Sequence, residues 1–570
     1  MAAGLIGGSS ITGLTAADPP SPPMPPEPAA SAHRGEASPL GNYLVGRYAH
    51  ARGDYAAAAQ HLQRVLVEDP DNPSLMRRTV SLLAADGRIE DAAALAERLL
   101  DIEASGRLAQ FVLGLRDARD GDYEGALERI DAIGREGVYT LLIPLAEGWL
   151  HTGVGSEAAA LAALAPLGDR DAYRPFFRLH ASLMHDLAGR VADAEALLRE
   201  AVATSNGSHR PVAALGSLLV RDGRIAEARA IYEEYREQNP NIIWIERVLA
   251  AVDAGEAVPP LVTDAREGLA EALLGAAAAL PQRDSGEASL IYARLALFLR
   301  EDLDSARFLI GELLEDAERL EDAVEAYRFI PAGSDFAWAA QLRAAAGLAD
   351  LDRQGEAVAT LRRMVDEQPE RTDAVTALGD VFRRDEQYAE AAAAYDIAVE
   401  RIATIEYRHW RLFYVRGIAF ERLGEWPKAE ADFKRALELE PDQPLVLNYL
   451  GYSWVEQEHN LDEAKKMIEK AVELRPDDGY IVDSLGWVAY KLGDFEEAVH
   501  QLERAVELVA GDPIINDHLG DAYWQVGRLH EARFQWQRVL TLEPEDDLAA
   551  QVGRKIAGGL YAGAEADDAH

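Results

Sequence analysis

The feature that most constrains this chain is a small residue that returns in phase along nearly its whole length. An alanine stands at the same place in fourteen successive units, the first at Ala58 and the last at Ala532. The C-terminal half shows the unit most clearly, in LNYLGYSW (Leu447–Trp454), VDSLGWVAY (Val482–Tyr490) and NDHLGDAYW (Asn516–Trp524). Their Leu-Gly pairs, Leu450-Gly451, Leu485-Gly486 and Leu519-Gly520, are 35 and 34 residues apart. Ala464, Ala498 and Ala532 follow those glycines by twelve or thirteen residues, and Pro476 and Pro544 close units. The earlier small residue runs back through Gly417, Gly379, Ala345, Gly311 and Gly275, and on to Gly46. A period of this length is one supersecondary unit, which buries its apolar face only by stacking on its neighbours.

Within a unit the pattern reads helix, turn, helix. Two helices that cross closely need a small residue on each, and large apolar side chains fill the groove between them. Tyr388 with Tyr395, Trp426 with Phe433, and Leu529 with Trp536 are the expected fillers. Glycines between the helices, at Gly53, Gly87, Gly121, Gly189, Gly223, Gly424, Gly493 and Gly527, suit the left-handed residue that ends a helix. The chain is rich in Ala, Leu, Glu and Arg, which agrees with helices throughout. This resembles the tetratricopeptide repeat. The resemblance implies an all-α solenoid of about 14 helix–turn–helix units wound into a right-handed superhelix.

Breaks in the period suggest the domain layout. Residues 1–38 lie outside any repeat and carry the Pro-rich run DPPSPPMPPEP, an extended solvated linker, behind what could be the remnant of a signal sequence. An N-terminal solenoid is expected at 39–240 and a C-terminal one at 266–544. Gly216 and Gly275 are 59 residues apart, so 241–265, with Pro259-Pro260, is expected to join two separately packed halves. Residues 545–570 read as a capping helix and an acidic tail.

The composition excludes several functions. The formal net charge is −41, from 57 Lys and Arg against 98 Asp and Glu, so nucleic acid and anionic lipid are poor partners. With no cysteine there is no disulfide, thiol nucleophile or Cys-ligated metal. No P-loop, H-E-x-x-H or G-x-S-x-G motif occurs, and His180 and His185, five apart in one helix, do not share a face. No apolar run reaches membrane-spanning length. The expectation is therefore a non-enzymatic chain with no cofactor, no metal and no direct membrane span.

A repeat solenoid instead offers a concave surface lined by first helices. Counting the small first-helix residue as position 8, positions 2, 5, 9 and 12 face inward. In the last four repeats they include Arg411, Tyr414, Asn448, Tyr452, Tyr480, Asp483, Trp487, Tyr490, Asp517, Asp521 and Trp524. Aromatic rings beside Asn and Asp are the composition of an interface centre. Co-chaperones that grip a C-terminal carboxylate carry Lys and Asn at positions 5 and 9. Here those positions hold Tyr, Asn, Asp and aromatics, so that mode is not expected.

LNYLGYSW, IVDSLGWVAYKLG (Ile481–Gly493) and HLGDAYWQVGR (His518–Arg528) resemble a proteobacterial subfamily, the outer-membrane lipoprotein adaptors that partner a carboxyl-terminal processing protease. The resemblance implies a scaffold at the periplasmic face of the outer membrane that holds the protease, and sometimes peptidoglycan hydrolases, near substrate. A lipoprotein needs a cysteine, and this chain has none. A cytoplasmic assembly scaffold or chaperone-like factor is the alternative. The oligomeric state is not legible.

Overall fold

The computed structural model describes residues 38–560, apart from 104–105, 205–207, 240–242 and 281. The linker expected at 1–38 and the tail after 560 therefore lie almost wholly outside the described residues. Among the described residues the regular structure is helical, thirty α-helices and one 3-10 turn.

The paired small residues do what their phase implies. Gly486 faces Leu502, and a Cβ there would come within 2.5 Å of the leucine. The same relation, sixteen residues apart, sets Gly379 against Tyr395, Gly417 against Phe433 and Gly520 against Trp536. Ala464, Ala498 and Ala532 are fully buried on the opposite helix. Of the expected fillers, Trp426 and Phe433 pack with ring centroids 6.5 Å apart. Leu529 does not fill its groove; it remains exposed, and Trp524 lies beside Trp536 instead, at 5.4 Å.

All eight turn glycines have positive φ. Gly493, at φ 82°, lets Asp494 N–H reach back to the Ala489 carbonyl at 2.9 Å, and Asp494 then caps the next helix through Glu497 N–H. Units without that glycine keep the geometry: Glu318, Asp352, Glu386 and Glu458 hold φ between 52° and 58°. A left-handed non-glycine residue costs about 1–2 kcal/mol. Glu386 is exposed, so Glu386→Gly is expected to stabilise the chain by about 1 kcal/mol, read as a higher midpoint in thermal melting.

The chain divides into two compact units within the helix Gln354–Glu367, at Ala357 and Val358. The boundary expected at 241–265 is thus corrected. That stretch forms the helix Ile243–Ala254, with Ile245, Leu249 and Val252 buried, and a return segment held on the preceding repeat. The Ser217 hydroxyl reaches the carbonyls of Val258 and Pro259 at 3.2 and 2.7 Å.

The next two helices, Ala265–Ala279 and Gln282–Leu299, are also not the start of a second solenoid. They pack together and against Pro73–Asp86, Arg107–Arg119, Tyr139–Gly153 and Arg174–Leu187, all first helices of earlier hairpins. They therefore occupy the face those first helices line. The Trp149 ring lies on Gly268, where a Cβ would come within 2.3 Å of it. Phe111 meets Tyr292 edge-on at 6.3 Å, and the Arg119 guanidinium covers Phe298 at 4.0 Å. Glu287 is held by His50 at 2.8 Å and by the Ser81 hydroxyl at 2.7 Å. Gly275 correspondingly faces Phe176 of Arg174–Leu187 and is not the crossing glycine of a repeat.

The C-terminal unit stacks hairpins in simple succession. Its last first-helices are Trp410–Arg422, Pro444–Glu456, Gly479–Lys491 and Pro513–Gln525, and the helix Asp546–Gly558 closes the stack.

Candidate functional site

The last three first helices of the C-terminal unit start at Asp, Gln or Pro signals that fix their rotation. The Asp478 carboxylate accepts from Tyr480 and Ile481 N–H, and Asp512 from Ile514 and Ile515 N–H. With the starts set, every fourth residue falls on one inner face. Tyr452, Glu456, Tyr480, Asp483, Trp487, Asp517 and Asp521 there enclose a cavity of about 530 Å³, whose far wall is Leu548, Gln551 and Lys555 of the terminal helix.

The floor is a chain of buried charges. Asp483 is 2% exposed, and both its oxygens lie 3.0–3.1 Å from His518 Nδ1. That nitrogen therefore carries a proton and donates. The His518 ring stacks on Trp487 at 3.9 Å, and Trp487 stacks on Tyr490 at 4.8 Å. Trp487 Nε1 donates to Glu456 at 2.6 Å. Lys555 Nζ donates to both oxygens of Asp517 and to Asp521, each at 2.8 Å. Trp536 Nε1 donates to Asp521 Oδ1 at 3.0 Å.

Burial first, and then the Asp517 charge, pushes the Asp521 carboxyl up to about 6 despite Lys555. Burial alone would lower His518, but the Asp483 carboxylate and its hydrogen bond, with Asp517 and Asp521, raise it. Lys555 is raised in the same way, the Asp517 and Asp521 charges outweighing burial. The cavity also borders Asp512, Glu545 and Asp547, so carboxylates dominate its rim.

Of the residues expected to line the groove, Tyr452, Tyr480, Asp483, Trp487, Asp517 and Asp521 are brought together. The others are not. Arg411 stands exposed with Asp380 as its nearest counter-charge, at 3.9 Å. Tyr414 is buried among Trp410, Phe433 and Tyr449. Asn448 is buried outside the cavity lining with its Oδ1 unpartnered. Tyr490 backs Trp487 and accepts from Gln525 at 3.2 Å. Trp524 is corrected from groove to core: its ring packs on Gly559, where a Cβ would lie within 2.4 Å, and on Trp536.

Position counting missed His518, Glu456 and Lys555. His518 is one residue from Asp517 and turns toward the previous repeat. Lys555 reaches back 34 and 38 residues from a helix outside the repeat frame. Among the described residues no group of three or more His, Asp or Glu is arranged to hold a metal ion, and no helix is long and apolar enough to cross a membrane.

Models described as tetratricopeptide repeat match five overlapping stretches between residues 342 and 550, and two more at 49–112 and 187–251. A TPR repeat-containing protein of Pseudomonas aeruginosa is 29% identical over 192 residues, 34% of this chain and 32% of that protein. The chain thus spans about a third of that relative's length. Among solved structures, it is similar to a chain of the APC/C hetero-tetramer Cut9–Hcn1, at 15% identity and a TM-score of 0.39, over 92% of this chain and 97% of that one. It is also similar to YrrB, a TPR protein with an unusual peptide-binding site, at 19% identity and a TM-score of 0.28, over 34% of this chain and 97% of that one.

Proposed function

The chain belongs to the tetratricopeptide-repeat family, and from that premise we propose an adaptor whose C-terminal groove docks a neutral or basic segment of a protein partner. Repeat scaffolds of this kind work through protein–protein contacts. The observation that carries the choice of groove is a contrast between the two units. The first-helix face of the N-terminal unit is covered by the chain's own Ala265–Ala279 and Gln282–Leu299 helices. The C-terminal unit keeps an open cavity with carboxylates and exposed ring edges.

In this reading the partner is a carboxyl-terminal processing protease or a peptidoglycan hydrolase, and the place is the bacterial envelope, at the periplasmic face of the outer membrane. The likeness of LNYLGYSW, IVDSLGWVAYKLG and HLGDAYWQVGR to that adaptor subfamily supports the partner. Holding enzyme and substrate on one scaffold raises their effective concentration and needs no chemistry of its own.

The test couples capture to turnover. A carboxyl-terminal processing protease should bind the chain and cleave its substrate faster in its presence. Tyr480 is 38% exposed at the rim, so Tyr480→Ala should weaken capture by roughly 3–10-fold with unchanged melting, and added salt should weaken it further. A protease that is neither bound nor accelerated overturns the partner assignment. Recovery of the native protein in the cytoplasmic fraction, and not after osmotic shock, overturns the location.

A further inference from the structure

The N-terminal unit holds a cavity of about 680 Å³ between the helices Arg174–Leu187, His209–Arg221, Ala265–Ala279 and Asp304–Asp316. It exists because the helix lying on the first-helix face thins as it ends. Gly275, Ala278 and Ala279 border the space and leave it open, beyond Glu271 and Leu274 of the same helix. The opposite walls are apolar, with Phe176, Leu179, Leu309 and Phe336. Size and lining are those of a small-molecule site.

Two buried side chains on the wall each leave one polar atom without a partner. Glu271 is 3% exposed; Arg210 Nε meets its Oε1 at 2.8 Å, while its Oε2 is buried and accepts nothing. His180 is 1% exposed, and its Nδ1 accepts from Trp149 Nε1 at 3.1 Å. The ring proton therefore sits on Nε2, which has no hydrogen bond among the described residues. Burial keeps this ring neutral, its pKa lowered to about 3. An unmade buried donor and an unmade buried acceptor each carry a desolvation cost that a ligand can relieve.

The charges on the wall are paired, Arg343 being shared between Glu312 and Glu315. Arg210 offsets Glu271, and Arg343 lies 3.3 Å from Glu312. His209 is neutral as well, burial and then Arg210 lowering it to about 4. An ion entering this wall would gain no counter-charge, and burying it would be costly.

We propose that this cavity binds a neutral small molecule with an apolar body and one amide or hydroxyl group, which donates to Glu271 Oε2 and accepts from His180 Nε2–H. Neither group belongs to the protein-docking groove, so the site is independent of the adaptor reading.

The experiment uses the full chain and N-phenyl-1-naphthylamine, a neutral probe that brightens on leaving water. Decanamide, methyl decanoate, decanoate and decylammonium are then compared as competitors. Decanamide should displace the probe at the lowest concentration. The ester, which cannot donate, should be about tenfold weaker, and both ions weaker still. Ala278 is exposed at the cavity edge, so Ala278→Phe should keep the melting curve while cutting decanamide affinity at least about tenfold by filling the space. No saturable probe binding overturns the proposal. So does equal displacement by all four head groups, since the wall would then read only the chain. Displacement that ignores Ala278→Phe puts the probe elsewhere and overturns it too.

Discussion

Residues 38–264, produced without the two helices that follow, are expected to lose cooperative folding that residues 38–353 keep. The reason is where those helices lie. Leu269, Leu273, Leu290, Ile291, Tyr292, Leu295 and Leu299 are each no more than 5% exposed. Each is worth about 1.5–3 kcal/mol when buried. Removing them also uncovers Trp149 and Phe111, both fully buried on the first helices. Half of that burial is comparable with the about 5–15 kcal/mol by which an ordinary domain is stable. The shorter fragment should bind a hydrophobic dye and melt broadly, at least roughly 15 °C lower, and a peptide of residues 265–300 should restore part of the transition. An equally sharp, equally high melt for 38–264 would mean the helices only decorate a self-sufficient solenoid.

Those helices also show why some of the architecture was legible and some was not. Wherever two backbones cross closely, few residue types fit, so the alanine at Ala498 recurs in every unit and the glycine at Gly486 in most, with Ala146, Ser182 or Ala345 in its place elsewhere. The turn glycines are legible for a similar reason, because few other residues adopt positive φ at low cost. The segment around Gly275 misleads because it is so rich in alanine that a small residue stands at any phase. Its better signal is the absence of charge after Glu271 in AREGLAEALLGAAAA, which marks a helix with little solvated face. In the groove, inward positions identify Tyr452, Tyr480, Asp483, Trp487, Asp517 and Asp521 because each lies in a regular repeat. The rule fails where a ring turns into its own repeat, as Tyr414 does among Trp410, Phe433 and Tyr449, and again at the end of the stack. There the next element is a cap, and Trp524 is covered by Gly559, while Lys555 supplies a cation that no repeat position encodes.

Lys555→Met is expected to cost the C-terminal end of the stack about 3–5 kcal/mol at pH 8, the penalty for leaving buried carboxylates without their partner. The Lys555 side chain is 16% exposed, and Asp517 and Asp521 are each 9% exposed. The pH dependence identifies the cause. The Asp521 carboxyl sits at about 6 in the folded chain, against an ordinary 3.8, through burial and the Asp517 charge. A folded pKa above the unfolded one favours the protonated form, so that contribution is full below 3.8 and is lost as pH rises through about 6. His518, raised by Asp483 against its own burial, adds stability that is full below 6.5 and is lost above that as its raised pKa is passed. The native C-terminal end should thus be more stable at pH 6 than at pH 8. The Lys555→Met deficit should shrink on the same acidification, because Asp521 takes a proton in place of the lost ammonium. Hydrogen exchange over residues 546–558 and the fluorescence of Trp524, which contacts Gly559, report the loss directly. Adding Asp521→Asn to Lys555→Met should recover part of the stability at pH 8 by removing one of the two unpaired carboxylates, Asp517 being the other. A pH-independent deficit would make Lys555 a packing residue, since only an electrostatic role is relieved by protons. If the role is electrostatic, Lys555 occupies carboxylates that a basic partner would otherwise engage. The single variant, folded at pH 6, should then capture such a partner more tightly than the native chain does, through the freed Asp517 carboxylate.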